Sequence, residues 1–176
     1  MILRPATLED VPGLAKLGSE SFCATFAHLY SPGDLAAFLE EVYSERSVAE
    51  EVAGDECIHR LAEADGELVG YCKMRVPSWY LEHSDARNPI ALGQLYTAAE
   101  RTGQGIGAAL MDWAIAYAHD AGHDAIQLSV YAENHGAQRF YERYGFEKIA
   151  DITFKVGDHY DPEFLFELRL NRREGQ

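Results

Sequence analysis

Three glycines at alternate positions, Gly103, Gly105 and Gly107, separate an apolar run at 92–97 from an alanine-rich stretch that begins at Ile106. Residues of these types in this order build an anion site without a charged side chain. The first N–H groups of a helix have no partner inside it, and the helix dipole adds about half a positive charge at the same end. Glycine lets the backbone approach a phosphate closely and adopt the concave conformations that bind anions. The expected ligand therefore carries a phosphate, held by the backbone of Thr102, Gly103, Gln104, Gly105, Ile106, Gly107 and Ala108. A tight turn that uses glycine for its conformation alone is the alternative.

Other glycine loops fit less well. Gly103-x-Gly105-x-x-Ala108 satisfies a dinucleotide-binding fingerprint, but that reading needs repeated βαβ units and an acid about 20 residues on, after a second strand. Asp124 precedes the next strand-like run instead of ending it. A Walker loop is excluded because no Lys-Ser/Thr follows the glycines. With 176 residues, 47% of them hydrophobic, the chain can bury a sizeable core, and one domain over 1–176 is expected. The net charge of −14 argues against a nucleic-acid partner and admits a cationic small substrate. Eleven acids face two bases, Arg46 and Arg60, between 34 and 67; a solubilising face explains them as well as a substrate funnel does. No apolar run approaches the ~18 residues of a membrane helix. The start breaks at Pro5 before any leader-like core, and Cys23, Cys57 and Cys72 are odd in number and far apart, so a reduced cytoplasmic location is expected.

Elements that would position the loop follow from pattern and punctuation. A strand at 2–4 precedes a helix opened by Thr7, with Val11, Leu14, Leu17 and Phe22 on its buried side. Ser31-Pro32-Gly33-Asp34 starts a second helix with Leu35, Phe38, Leu39, Val42 and Tyr43 inward, and a third short piece ends near Gly54. Strands at 58–64 and 68–76 flank Asp65-Gly66, a strong hairpin turn. An irregular loop spans 77–89, and a central strand spans 92–97. A helix at 105–119 is expected to turn Ile106, Ala109, Leu110, Trp113, Ala116 and Tyr117 inward. A strand at 126–131, a helix at 134–144 ended by Gly145, and strands at 146–156 and 164–170 complete an α+β domain, β-α-α-β-β-β-α-β-α-β-β, around a mixed, mostly antiparallel sheet flanked by helices. The tail at 171–176 is polar and expected to fray.

This order and the glycine loop resemble the GNAT superfamily of N-acetyltransferases. A second motif strengthens the resemblance: Asn134, Ala137, Phe140, Tyr141, Gly145 and Phe146 match the family's Asn-x-x-Ala-x-x-Phe-Tyr-x-x-x-Gly-Phe pattern, one strand after the glycine helix. The resemblance covers nearly the whole chain. Within the superfamily the chain looks most like the PaiA-type polyamine acetyltransferases, through Thr25-Phe26, 31–44, 94–97 and 154–158. It implies acetyl-CoA as donor, a primary amine such as a polyamine as acceptor, and a fold that often dimerises. Two departures stand out. Thr102 replaces the Gln or Arg that usually opens the glycine motif, with Arg101 one place earlier, and no carboxylate or histidine lies between 90 and 97, where several members keep a general base.

By this resemblance, the backbone of Leu95, Tyr96 and Thr97 pairs with the pantetheine arm beside a bulge that splays the strand, and one N–H polarises the thioester carbonyl. Tyr141 is the expected general acid toward the leaving sulfur; otherwise it is a packed core tyrosine. Asn134 bonds to the cofactor arm or caps its helix. Arg143 reaches the adenosine phosphates or lies on a solvated face. Glu82, His83 and Glu100 flank the central strand as candidates for taking the amine's proton through water. Phe26, Tyr30, Trp79, Tyr80 and Glu82 are the candidate acceptor surface, suited to an alkylammonium by cation–π contact, with core or dimer packing as the other reading. His119 and His123 lack a third ligand, so no metal is expected. The rivals to an N-acetyltransferase are a non-catalytic acyl-CoA sensor on the same fold and a nicotinamide dehydrogenase.

Overall fold

Local turn chemistry explains most element boundaries in the structure, a computed structural model that describes residues 1–171. Asp65 and Gly66 both take positive φ (53° and 78°), as a two-residue hairpin requires, and join β2 (Cys57–Ala64) to β3 (Glu67–Arg75). The Asp34 N–H donates to Ser31 Oγ at 3.1 Å at the start of α2 (Pro32–Tyr43), and the Ser47 N–H donates to Ser44 Oγ at 3.2 Å at the start of α3 (Glu45–Ala53). Thr7 leads first into a 3-10 turn, Leu8–Asp10, and α1 (Val11–Phe26) follows. Asp10 ties that turn to β1 (Ile2–Pro5) through Arg4, with contacts of 2.7 and 2.9 Å that hold the Asp10 carboxyl down at about 2.

The remaining elements are β4 (Pro89–Thr97), α4 (Ile106–Asp120), β5 (Ala125–Tyr131), α5 (His135–Arg143), β6 (Glu147–Val156) and β7 (His159–Arg169). They complete one seven-stranded sheet in the order β1-β2-β3-β4-β5-β7-β6, antiparallel except for the β4–β5 pair. The single parallel pair rules out the repeated βαβ arrangement of a dinucleotide fold. The tail at 172–176, expected to fray, lies outside the described residues.

Alternation along β2 and β3 builds the two faces. Ala62, Cys72 and Met74 pack on α4, with α5 alongside, while Leu61 and Tyr71 pack on α1 and α3. A smaller cluster of Phe22, Phe38, Tyr43 and Val156 closes the far end. Two expectations need correction. On α4 the buried positions are Ile106, Leu110, Met111, Ala114 and Ala118; Ala116 is exposed, and Trp113 and Tyr117 stack on each other at the rim, centroids 5.1 Å apart. An alanine-rich helix is apolar on every side, so its pattern does not choose a face. Close approach to the sheet selects the two small residues, Ala114 and Ala118. The second correction is that β7 starts five residues before the expected 164. Pro162 is accommodated because it lies just beyond the last β5–β7 partners, Tyr131 and Glu163, where no β5 acceptor loses a donor. The early start brings Asp161 and Glu163 into a buried strand.

Candidate active site

β4 and β5 pair only at Pro89↔Ala125, Ile90↔Ile126 and Ala91↔Gln127. Beyond Ala91, β4 continues along β3 while β5 continues along β7, so the two strands part and the β5-facing edge of β4 is left without a strand partner. A bulge accompanies the parting: Lys73 pairs with Gln94 and Met74 with Leu92, leaving Gly93 as the extra residue. A Cβ at Gly93 would stand 3.0 Å from the Trp79 ring, so glycine lets this aromatic loop close over the bulge. Leu95, Tyr96 and Thr97 then run along the opening.

The strand leads through a 3-10 turn, Ala99–Arg101, into the glycine loop. Gly103 and Gly105 adopt φ of 81° and 79°, and a Cβ at either would meet nothing within 4 Å, so the outside of the loop is open. Gly105 caps α4, whose first ladder bond runs from the Ala109 N–H to the Gly105 carbonyl at 3.0 Å. The N–H groups of Ile106, Gly107 and Ala108 therefore precede the ladder at the positive end of a fifteen-residue helix, which fits a diphosphate. The Thr102 hydroxyl turns back to the Ala99 carbonyl (3.0 Å), and Arg101 leans on Glu67 (3.6 Å). α5 packs close to this end of α4: the Tyr144 hydroxyl donates to the Ala108 carbonyl at 3.3 Å.

A cavity of about 660 Å³ begins at the parted strands, where Leu95, Tyr96, Asn134, Ala137 and Tyr141 border it, and ends among aromatic rings. Asn134 caps α5, its Oδ1 accepting from the Ala137 N–H at 3.2 Å. The Tyr141 hydroxyl has no hydrogen bond among the described residues; burial, reinforced by Tyr96, holds its pKa well above the ordinary phenol value, so it is a neutral donor. Burial and the nearby Glu163 charge outweigh a 3.0 Å bond with the Tyr43 hydroxyl and lift Tyr96 to about 12. A second hollow of about 520 Å³ lies between α1 and the end of β4, sharing Thr25, Leu95 and Tyr96 with the first and extending to Thr102.

Of the expected acceptor residues, Phe26, Tyr30, Trp79 and Tyr80 line the main cavity. Glu82 does not: it sits beside His83 in an exposed turn, Leu81–His83, with its side chain 83% exposed. Glu100 is exposed at the edge of the second hollow. Arg143 is exposed on α5, its guanidinium 5.8 Å from the Phe140 ring centroid, as a solvated face would have it.

Two groups of cavity residues went unread in the sequence. Lys73, on β3 and 4% exposed, donates to both Glu51 oxygens (2.9 and 3.1 Å), and His59 approaches the same carboxylate at 3.5 Å. Burial would raise the Glu51 pKa, but these two partners outweigh it and hold the group ionised. The other is Glu163, 9% exposed on the cavity wall. Burial pushes its carboxyl up to about 7, against the nearby Ser129 hydroxyl and with help from the Asp161 charge. Its neighbours on the strand are engaged elsewhere: Asp161 takes the Tyr30 hydroxyl and His159 Nε2, and Glu167 takes Gln127 and Arg169. The available signal was the alternation Asp161, Glu163, Leu165, Glu167, which places three acids on one side of a strand.

The parted strands and the neutral Tyr141 border one cavity, and the glycine-capped start of α4 follows from the same strand β4 through the Ala99–Arg101 turn. Residues 21–146 match the acetyltransferase (GNAT) family, and the chain belongs to that family. It is an acetyl-CoA-dependent N-acetyltransferase, with acetyl-CoA as co-substrate. The chain is 27% identical over 162 residues to an uncharacterised N-acetyltransferase of Lactobacillus delbrueckii subsp. lactis, covering 92% of this chain and 93% of the relative. It is 25% identical over 169 residues to a spermidine N(1)-acetyltransferase of Thermoplasma acidophilum, covering 94% of each. Among solved structures, the PaiA N-acetyltransferase of Thermoplasma acidophilum in complex with coenzyme A superposes with a TM-score of 0.77 at 22% identity, covering 96% of this chain and 98% of that one.

Proposed function

We propose that the chain transfers acetyl from acetyl-CoA directly to the primary amine of a small cationic acceptor, with a polyamine as the leading class. The observation that carries the reading is the continuity of the cavity, from the unpaired edge of β4 past Tyr141 to aromatic walls that hold a buried carboxyl. In this reading the loop N–H groups from Thr102 to Ala108 hold the diphosphate, and the backbone of Leu95, Tyr96 and Thr97 pairs with the pantetheine arm. An N–H from that strand polarises the thioester carbonyl where negative charge develops. Tyr141, neutral and without a hydrogen-bond partner among the described residues, protonates the departing sulfur. Asn134 fixes the start of α5 and so sets the position of Tyr141, two turns along. Phe26, Tyr30, Trp79 and Tyr80 face the acceptor's alkyl chain and ammonium groups. The polyamine class draws support from the spermidine-acetylating relative and from the acidic charge of the chain. The sensor reading rests on the lack of a base on β4; the buried carboxyl of Glu163 on the cavity wall weighs against it.

The test is thiol release from acetyl-CoA across spermidine, spermine, simple diamines, amino acids and aminoglycosides, for the native chain and for Tyr141→Phe. Saturable turnover of polyamines is expected, with Tyr141→Phe lowering kcat about 10²-fold while acetyl-CoA affinity is unchanged. Tight acetyl-CoA binding with no turnover of any amine would favour the sensor. Equal kcat in the two proteins would remove Tyr141 from the chemistry.

A further inference from the structure

We propose that Glu163 is the catalytic base of this transfer, taking a proton from the acceptor's ammonium group inside the cavity. The assignment rests on the reading of that cavity as the acceptor site. Glu163 lies on β7 between Tyr131 of β5 and Ile152 of β6, with its side chain on the cavity wall and 9% of the residue exposed. The groups around it are neutral or committed elsewhere. Ser129 and Tyr131 face it from β5, Tyr96 from β4, Tyr80 from the loop before β4, and Tyr30 from the turn after α1; burial keeps all four phenols protonated at neutral pH. On its own strand, Asp161 is occupied by Tyr30 and His159. Of the cations bordering the cavity, Lys73 is bound to Glu51, and Lys155 of β6 is exposed, its Nζ 6.0 Å from the Tyr160 ring centroid.

Glu163 is therefore a buried carboxyl in the cavity with no cationic partner among the described residues, where an entering ammonium group would be that partner. Burial places its titration at about 7, where a base is half free at working pH and still strong enough to accept a proton. The same apolar walls lower the pKa of an ammonium ion, so the transfer runs between groups brought closer in strength. Glu82 and His83, outside the cavity, have no comparable access.

The step balances as follows. Glu163 takes one proton from the ammonium, and the freed nitrogen pair attacks the thioester carbon. A C–N bond forms, the C–S bond breaks, and the sulfur leaves with the electron pair and takes a proton from Tyr141. The nitrogen sheds its second proton, which restores the phenol through water, and Glu163 releases the first proton to solvent.

The experiment compares spermidine with hydroxylamine, a nucleophile already largely neutral at pH 7, in the native chain and in Glu163→Gln and Glu163→Asp. With spermidine at pH 7, Glu163→Gln should lower kcat/KM about 10²–10³-fold, with Glu163→Asp recovering part of the loss. With hydroxylamine the two proteins' rates above the uncatalysed reaction should agree to within severalfold, which also shows that the variant is folded. The native rate with spermidine should rise through an apparent pKa near 7, and Glu163→Gln should lose that limb, leaving the amine's own at about 10. Equal losses with both acceptors would overturn the assignment in favour of a structural role. A raised KM with unchanged kcat and an intact limb near 7 would overturn it in favour of ammonium binding alone. A native chain inactive on both acceptors would overturn the amine-transfer reading itself, and the assignment with it.

Discussion

A carboxyl buried without a cationic partner keeps its proton more tightly than one in water, because burial penalises the charged form. Glu163, which has no cationic partner among the described residues, is such a group, raised from 4.5 to about 7. Between those values the folded chain binds the proton more strongly than the unfolded chain does. The stability it contributes is therefore complete below about 4.5 and is lost as pH rises through 7. Glutamine at the same position does not titrate. Thermal melts of the native chain and Glu163→Gln should coincide near pH 4 and separate as pH rises, with the variant more stable by roughly 3 kcal/mol at pH 8, a shift of several degrees. Parallel melting curves at all pH values would mean that Glu163 titrates like an exposed glutamate. The outcome is independent of turnover, and it fits a stability–activity trade-off in which a catalytic group is held at a cost to the fold.

The glycine loop belongs to the scale of elements, since its function is to end β4 and start α4 in a shape open to an anion. Gly105 takes a φ of 79° with nothing near its missing Cβ, so Gly105→Ala would introduce backbone strain without a clash. The strain should cost about 1–2 kcal/mol and lower Tm by a few degrees. It should also turn the loop N–H groups away from the diphosphate, raising KM for acetyl-CoA about tenfold, equivalent to ~1.4 kcal/mol, with KM for the amine unchanged. Isothermal titration with CoA and a melting curve check the two halves separately; an unchanged CoA affinity would show that the loop is only a turn. This element was legible in the sequence because its signals are local: positive-φ glycines, a helix start, and the Asn134 cap and Phe140-Tyr141 pair on the next helix. The inward face of α4 was not legible, because Ala109, Ala114, Ala116 and Ala118 look alike until a sheet packs against two of them.

At the scale of the whole molecule, the net charge of −14 would act in opposite senses on the anionic acetyl-CoA and on the cationic acceptor proposed above. The acid-rich run at 34–67 covers α2, α3 and β2, and from it Glu41 and Glu51 reach the cavity. An acidic surface raises the local concentration of a polycation and repels an anionic donor, and salt screens both effects over a Debye length of about 10 Å at 0.1 M. Raising NaCl from about 0.05 to about 0.5 M should therefore lower kcat/KM for spermidine severalfold or more while leaving that for acetyl-CoA unchanged or raised. Equal falls for both would show that the acids serve only as a solvated face. Among the described residues, no helix is long and apolar enough to cross a membrane.

By itself the sequence determined what depends on neighbours a few residues away. The hairpin at Asp65-Gly66, the serine caps of α2 and α3, the anion-shaped loop and the α5 motif all rest on φ preferences and capping bonds that act within about one turn of chain. Only the tertiary structure decided where β4 leaves β5, which side of α4 is buried, and that Glu163 rather than Glu82 shares the cavity with Tyr141. Desolvation explains the last point. The proton affinity of a carboxyl depends on the water that packing removes, and the groups that displace it from Glu163 are Tyr30, Tyr80, Tyr96 and Ser129, up to 133 positions away in the chain.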